Sequence, residues 1–222
     1  MRVTVVGAGR AGCEAAWQLA CRGIPVTLLE MQPAAFSPAH RYAGFAELVC
    51  SNSLKAQRLD SAAGLLKEQM RRLGSVCLMA AQRHRVPAGG ALAVERVGFS
   101  DEVTRAIKSH PLITVKEQTV EEIPEGTVIL ATGPLTQGKL AQSIGELVEQ
   151  QRLAFFDAAA PIVSFDSIDQ ERVFFAARYG RGEDDYINCP FNKEEYEAFY
   201  DALIHAESAP LKEFDKRDFT GY

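Results

Sequence analysis

Residues 3–30 read VTVVGAGRAGCEAAWQLACRGIPVTLLE, and this stretch decides the fold. Its apolar, β-branched start, Val3–Val6, predicts a strand buried on both faces. Residues 13–22 predict a helix that ends at Gly23, and Val26–Glu30 predicts a second buried strand. A strand, a helix and a strand within thirty residues predict a right-handed βαβ unit and therefore an α/β fold with a parallel sheet.

A glycine motif, G-x-G-x-x-G, occupies the turn between the first strand and the helix, at Gly7, Ala8, Gly9, Arg10, Ala11 and Gly12. After a strand and before a helix, this motif is the fingerprint of a dinucleotide site. Gly7 permits the tight turn, Gly9 lets a pyrophosphate approach the backbone, and Gly12 lets helix and strand pack closely. The start of the helix offers N–H groups and partial positive charge to the phosphates.

Two further strand ends indicate which dinucleotide is bound. Glu30 ends the second strand, where a carboxylate accepts hydrogen bonds from a ribose diol and repels a 2′-phosphate. This favours FAD or NAD over NADP. A later strand ends in Ala131-Thr132-Gly133, a pattern typical of FAD-binding proteins of the glutathione-reductase type. We therefore predict FAD as the cofactor and add Glu30, Thr132 and Gly133 to the glycine motif as cofactor-binding residues.

The rest of the chain continues this pattern and then changes character. Residues 31–60 are expected to be loop-rich, and 62–73 to form an amphipathic helix with an apolar face of Leu65, Leu66, Met70 and Leu73. The further predicted elements are a helix at 101–109 capped by Ser100, a strand at 112–120, a buried strand at Thr127–Leu130, a helix at 136–150, short strands at 153–165 and 173–178, and a helix through Ala206 with a capping box of Asn192 and Glu195.

Composition and charge exclude several classes of protein. The chain of 222 residues is 47% apolar, which excludes a disordered protein, and it holds no run of the ~20 apolar residues that a membrane span needs. The net charge is −5, yet residues 51–94 carry seven basic and only two acidic side chains. This basic region either attracts a polyanion or is simply a set of solvated helix faces.

The cysteine and histidine patterns predict a reducing compartment and no metal. The five cysteines contain no C-x-x-C pair and the four histidines no H-x-x-H pair, so neither a disulfide framework nor a zinc site is indicated. The first strand begins almost at residue 1, without a cleavable apolar segment before it. We expect a cytoplasmic protein.

A specific family resemblance rests on seven blocks spread over the chain. They are residues 45–54 (FAELVCSNSL), 85–94 (RVPAGGALAV), 131–136 (ATGPLT), 157–163 (DAAAPIV), 178–180 (RYG), 186–190 (YINCP) and 193–196 (KEEY). In type and order they resemble the folate- and FAD-dependent tRNA (uracil-5-)-methyltransferases, the TrmFO family, which is related to the GidA-like flavoproteins that modify tRNA. The resemblance implies a Rossmann-like FAD-binding domain interrupted by an inserted domain of mixed α+β structure.

The resemblance also implies the chemistry. Reduced FAD, regenerated by NAD(P)H, takes a one-carbon group from 5,10-methylenetetrahydrofolate to C5 of a uridine in the tRNA T-loop, which gives ribothymidine. A cysteine at the position of Cys50 lies close to the flavin in the family, which implies a catalytic role for Cys50. The alternative for Cys50 is a small buried packing residue, the commonest role of a free cysteine.

Members of the family are considerably longer than 222 residues. The resemblance therefore predicts an incomplete FAD-binding domain at residues 1–152 and the start of the inserted substrate domain at 153–222. Two other functions remain open at this point. One is a small NAD(P)H-dependent flavoprotein oxidoreductase without an RNA substrate, and the other is a non-catalytic FAD-binding fragment.

Overall fold

A computed structural model describes residues 1–37, 39–49, 51–148, 163–177 and 183–207. Six α-helices and nine strands lie in these ranges. The strands are β1 Val3–Val6, β2 Val26–Glu30, β3 Ser53–Ala56, β4 Arg85–Val86, β5 Ala91–Val94, β6 Ile113–Glu117, β7 Thr127–Leu130, β8 Phe174–Ala176 and β9 Tyr186–Asn188. The helices are α1 Arg10–Cys21, α2 Ala62–Arg72, α3 Val76–Arg83, α4 Arg96–Ser109, α5 Gly138–Leu147 and α6 Lys193–Ile204.

A four-stranded parallel sheet in the order β6-β2-β1-β7 forms the centre of the fold. Val3 of β1 aligns with Val26 of β2 on one side and with Thr127 of β7 on the other. The predicted βαβ unit and the α/β, Rossmann-like fold are confirmed. The prediction that Thr127–Leu130 is fully buried was wrong, because β7 is the edge strand here and its residues are half-buried or exposed.

Helices cover both faces of this sheet. One face packs against α1 and α4, and α3 packs on these two helices. The largest fully buried side chains in this core are Phe99, Leu28, Leu92 and Ile107. The other face packs against α5, where Leu140 lies on Val6 and Leu29. A small antiparallel sheet in the order β3-β5-β4 lies in the same layer as α1, α3 and α4. The layers leave the carboxyl ends of the parallel strands at one edge, where open α/β sheets bind ligands.

Helices α3 and α4 differ from the sequence-based expectation. Helix α3 was not predicted, although Ser75 accepts a hydrogen bond from the Leu78 N–H as its N-cap. Helix α4 begins at Arg96 and not at residue 101, because the Glu95 carboxylate caps the N–H groups of the first turn. Ser100 is therefore not a cap. It lies inside α4 with 1% exposure.

The predicted apolar face of α2 lies mainly in solvent in this structure. Leu65, Leu66 and Leu73 are each at least half exposed. Met70, the fourth residue of that face, is partly buried against the main core, and the Lys67 ammonium group donates to the Ala56 carbonyl at 2.9 Å. Partial burial lowers the pKa of Lys67, because the charged form loses part of its hydration.

Residues 163–177 and 183–207 form a hairpin of β8 and β9 followed by α6. The capping box of Asn192 and Glu195 is confirmed at the start of α6. No described residue of this part is buried. It contacts the first part through Asp185, which accepts from the Gly89 N–H at 2.7 Å, and through Tyr186, which donates to the Ala88 carbonyl. The strand predicted at 153–165 lies mostly outside the described residues.

Replacing Glu14 tests how α1 holds the layer of helices together. Its Oε1 accepts hydrogen bonds from the Ser75 hydroxyl and from the Cys77 N–H (2.9 Å), both at the start of α3. Glu14→Ala leaves these donors without their acceptor, so we expect the free energy of unfolding in urea to fall by about 1–3 kcal/mol. Glu125→Ala, at an exposed site, is the control and is expected to change little. Equal stability of both variants would contradict this role for Glu14.

Candidate dinucleotide site

The carboxyl ends of β1, β2 and β7 bring three predicted segments together. The Gly7 N–H donates to the Leu29 carbonyl at 2.8 Å, and the Ala131 N–H donates to the Val6 carbonyl at 2.8 Å. Gly7 has φ +96°, and a Cβ atom there would lie 2.7 Å from the Ala131 carbonyl oxygen. Only glycine fits both this backbone conformation and this close approach.

Gly12 lies in a crowded position, whereas Gly9 lies next to open space. A Cβ atom on Gly12 would overlap the Gly7 carbonyl oxygen, so Gly12 is required for the close packing of α1 on the turn. A Cβ atom on Gly9 would meet no atom within 4 Å. The absence of a side chain at Gly9 therefore leaves open space in front of the start of α1, which fits an approaching phosphate.

The N-terminus of α1 also lacks a side-chain cap. Gly9 is its N-cap, whereas side chains cap α2, α3, α4 and α6. Arg10 and Ala11, the first two residues of α1, are exposed. Uncapped N–H groups at a helix start form an anion site. The residues present thus fit a dinucleotide pyrophosphate.

Glu30 lies at this edge and is 8% exposed. Its Oε2 accepts from the Ala8 N–H at 2.5 Å and its Oε1 from the Gln32 N–H at 3.0 Å. The carboxylate therefore holds the glycine turn against the end of β2. Each carboxylate oxygen has a second acceptor direction, so contact with a ribose diol remains a prediction.

Thr132 and Gly133 follow β7 at the same edge. Gly133 has φ +74°, which lets the chain turn away directly after the strand. The Thr136 hydroxyl, which the sequence did not single out, lies 2.6 Å from Thr132 Oγ1 and 2.7 Å from the Gly133 carbonyl oxygen. These contacts fix the turn, and contact of either residue with a cofactor remains a prediction.

Ala8 is held from a second side by Ala46, whose role the sequence did not reveal. The Ala46 N–H donates to the Ala8 carbonyl at 2.9 Å, and Ala46 has a left-handed φ of +55°. The Cys13 thiol lies 3.2 Å from the same carbonyl oxygen, and burial raises the pKa of this thiol strongly. Cys13 is thus a packing residue beneath the turn. A single positive φ in a non-glycine residue leaves no pattern in a sequence.

Cys50, the predicted catalytic residue, lies outside the described residues. Its described neighbours Val49 and Ser51 are both exposed. Two residues after Cys50, the Asn52 side chain donates to the Val94 carbonyl at 3.1 Å and ties the chain to β5. The role of Cys50 remains a prediction.

The basic region at 51–94 is partly neutralised by ion pairs. Arg71 and Arg72 both bind Glu68, and their hydrogen bonds lower the pKa of the Glu68 carboxyl to about 2. Arg83 binds Glu102 of α4, whose pKa is lowered for the same reason. These arginines are largely exposed, and exposed pairs contribute little to stability.

Comparison with known proteins gives the family. A family profile described as Glucose inhibited division protein A matches residues 2–221. The chain belongs to this family. Because the GidA profile covers nearly all of the chain, it covers the glycine turn, Glu30 and the Cys50 block together.

Three curated relatives of this GidA-family chain are each named methylenetetrahydrofolate--tRNA-(uracil-5-)-methyltransferase TrmFO. The protein of Desulforamulus reducens is 58% identical over 97% of this chain and 49% of its own length. The protein of Acetivibrio thermocellus is 58% identical over 96% and 49%, and that of Enterococcus faecalis 52% over 98% and 50%. The family resemblance drawn from the seven sequence blocks is confirmed. The chain spans about half the length of the curated relatives it matches.

Among solved structures, GidA of Aquifex aeolicus is similar with a TM-score of 0.45 and 15% identity, over 56% of this chain and 20% of that chain.

Within the residues that the structure describes, no helix is both long and apolar enough to cross a bilayer. The same residues contain no group of three or more His, Cys, Asp and Glu side chains placed to hold a metal ion.

Proposed function

We propose that this chain is the FAD-binding part of a folate-dependent tRNA (uracil-5-)-methyltransferase. The observation that carries the proposal is 58% identity over 97% of the chain to a relative bearing that name. The open space at Gly9 and the uncapped start of α1 support it independently, because they provide room and N–H donors for a pyrophosphate. The proposed substrates are 5,10-methylenetetrahydrofolate, NAD(P)H and the T-loop uridine of tRNA.

The chain's own residues would bind and orient the cofactor. Gly9, Arg10 and Ala11 present backbone N–H groups to the pyrophosphate, and Glu30 accepts hydrogen bonds from the ribose while it holds Ala8. Thr132 and Gly133 line the adenosine side. The chemistry that bound FAD supplies is delivery of a one-carbon group to C5 of uridine together with two electrons, which NAD(P)H replaces.

The position of Cys50 in the sequence supports its proposed role beside the flavin. It lies four residues after Ala46, which contacts the glycine turn, and two residues before Asn52, which is tied to β5. The exposed arginines of α2 and α3 provide positive charge for an RNA backbone. A uridine must leave its stack to reach a flavin, so this surface would hold the tRNA while the base is displaced.

The domain division and the compartment follow from the same proposal. Residues 1–152 would form the FAD-binding domain and 153–222 the beginning of a substrate domain. The change from the parallel sheet of β6-β2-β1-β7 to the separate antiparallel pair β8-β9 supports the division. A tRNA substrate and a reducing compartment together favour the cytoplasm.

The direct test is methyl incorporation into unmodified tRNA from methylene-labelled folate, in the presence of FAD and NADPH. The chain is assayed alone and mixed with the unmatched half of the Desulforamulus reducens relative. We expect labelled ribothymidine in the mixture. NADPH oxidation without label in tRNA would favour a flavoprotein oxidoreductase instead, and FAD uptake without either reaction would favour a non-catalytic FAD-binding fragment.

Glu30→Gln is expected to weaken FAD binding. The amide group places a donor opposite the Ala8 or Gln32 N–H and removes the charge that favours the ribose hydroxyls. We expect a loss of about 1–3 kcal/mol, measured as the FAD dissociation constant of folded protein. Glu125→Gln, at an exposed site far along the chain, is the matched control. Equal FAD affinity of both variants would show that Glu30 has only a structural role.

Cys50→Ala is expected to abolish methyl incorporation in the assay above while FAD affinity and melting temperature stay unchanged. The physical reason is the loss of a thiolate, for which alanine has no substitute. Cys189→Ala removes an exposed thiol in the second part of the chain and should retain activity. Full methyl incorporation by the Cys50 variant would show that Cys50 has no catalytic role and is only a packing residue.

A further inference from the structure

The segment Gly44-Phe45-Ala46 is held on α4 by two hydroxyl groups. The Ser100 hydroxyl donates to the Phe45 carbonyl at 2.6 Å, and the Phe45 N–H donates to Thr104 Oγ1 at 2.7 Å. The Thr104 hydroxyl donates in turn to the Ser100 carbonyl at 2.7 Å. Both backbone groups of Phe45 are therefore satisfied by side chains one helical turn apart.

The fit between this segment and α4 is close. A Cβ atom on Gly44 would overlap Ser100 Oγ, so the approach depends on glycine. Ser100 is 1% exposed, and Phe45 and Ala46 are buried as well. At the outer side of the segment, the Tyr42 hydroxyl donates to Asp101 of the same helix at 2.5 Å. The buried Ser100 hydroxyl does not favour the helix itself, because serine is not a favoured residue inside helices.

The other side of the segment touches the glycine turn. Ala46 adopts its left-handed conformation and donates its N–H to Ala8, whose own N–H is bound by Glu30. A positive φ in alanine is unfavourable and persists only where its surroundings hold it. The two hydroxyls on α4 supply such surroundings one residue away, at Phe45.

We infer that Ser100 and Thr104 are positioning residues for the cofactor site: through Phe45 and Ala46 they hold Ala8 from the side opposite Glu30 and so set the shape of the glycine turn. The inference deepens the proposed function and rests on it for the identity of the ligand. It assigns to α4, which contributes no residue to the turn itself, control over the affinity for a dinucleotide. It also gives a reason for the close packing of Gly44-Phe45-Ala46, which precedes Cys50, on Ser100 and Thr104 in the middle of α4.

The test uses Thr104→Val, which keeps the shape of the side chain and removes the hydroxyl, and Ser100→Ala as a second variant. Hydrogen exchange at the Phe45 and Ala46 amides is measured by NMR without ligand, and FAD dissociation constants are measured at a temperature at which all variants are folded. We expect exchange to accelerate and the FAD dissociation constant to rise, each by about tenfold. Thr104→Ser, which retains the hydroxyl, should restore both values.

The matched control is Ser109→Ala, which removes an exposed hydroxyl from the last turn of α4. A purely structural role would lower the melting temperature of Thr104→Val and Ser100→Ala without the selective exchange at Ala46 or the loss of FAD affinity. Faster exchange with unchanged FAD affinity, or unchanged exchange at Ala46, would overturn the inference. Absence of FAD binding by the unmodified chain would instead overturn the proposed function, while the exchange at Ala46 would still decide whether α4 holds the turn.

Discussion

Gly12→Ala is expected to destabilise the protein strongly. Alanine normally stabilises a helix relative to glycine by up to about 1 kcal/mol. At Gly12 the sign is reversed, because the new methyl group would overlap the Gly7 carbonyl oxygen and crowd the Ala131 side chain. We expect a loss of at least about 3 kcal/mol, since backbone atoms on both sides would have to move.

Thermal unfolding followed by circular dichroism measures this effect. For a chain of this size, such a loss corresponds to a fall in melting temperature of about 6–12 °C. The control is Gly90→Ala, where a Cβ atom meets nothing within 4 Å and the backbone needs no positive φ. An unchanged melting temperature of Gly12→Ala would mean that α1 does not approach the end of β1 as closely as the structure shows.

Gly9→Ala is expected to remove most FAD affinity without loss of stability. Gly9 has φ −66° and ψ −179°, which alanine adopts without strain, and its methyl group would enter open space. That space is where a pyrophosphate must come to accept the N–H groups of α1. We expect the FAD dissociation constant to rise about 100-fold, or about 2.8 kcal/mol, with the free energy of unfolding unchanged to about 0.5 kcal/mol.

Gly90→Ala again serves as the control, because it adds the same methyl group at another open position outside the glycine motif. The contrast between the variants separates two functions within a single motif. Gly12 serves packing, and Gly9 serves the ligand. Wild-type FAD affinity in Gly9→Ala would contradict the placement of the pyrophosphate at this turn.

The central part of the fold could be predicted because its signals are local and strong. The strand at Val3–Val6, the glycine turn and the strand ending at Glu30 follow one another in a pattern with few alternatives. The capping box at Asn192 was equally readable, since it needs only two residue types at a fixed spacing.

The errors arose where long-range packing overrides local preference. The start of α4 was misplaced because serine is a more common cap than glutamate, whereas here Glu95 caps the helix and Ser100 binds Phe45 across 55 residues. Helix α3 was missed because its eight residues are mostly apolar and show no clear periodicity, although Ser75 after Gly74 was an available start signal.

The sequence predicted the motif residues of the candidate site, but not the residues that hold the neighbouring turns in place. The sequence identified Gly9 and Glu30, which carry a known motif. It did not reveal that Ala46 and Thr136 hold the neighbouring turns, since single hydrogen bonds of a side chain or of a strained backbone leave no periodic trace.

The most direct measurement is a calorimetric titration of the purified chain with FAD. The proposal that the glycine turn, Glu30 and the start of α1 form a dinucleotide site predicts saturable binding of one FAD per chain, and greatly weakened binding in Gly9→Ala. Folded protein that shows no saturable binding of FAD, or binds it equally well as Gly9→Ala, would contradict the account.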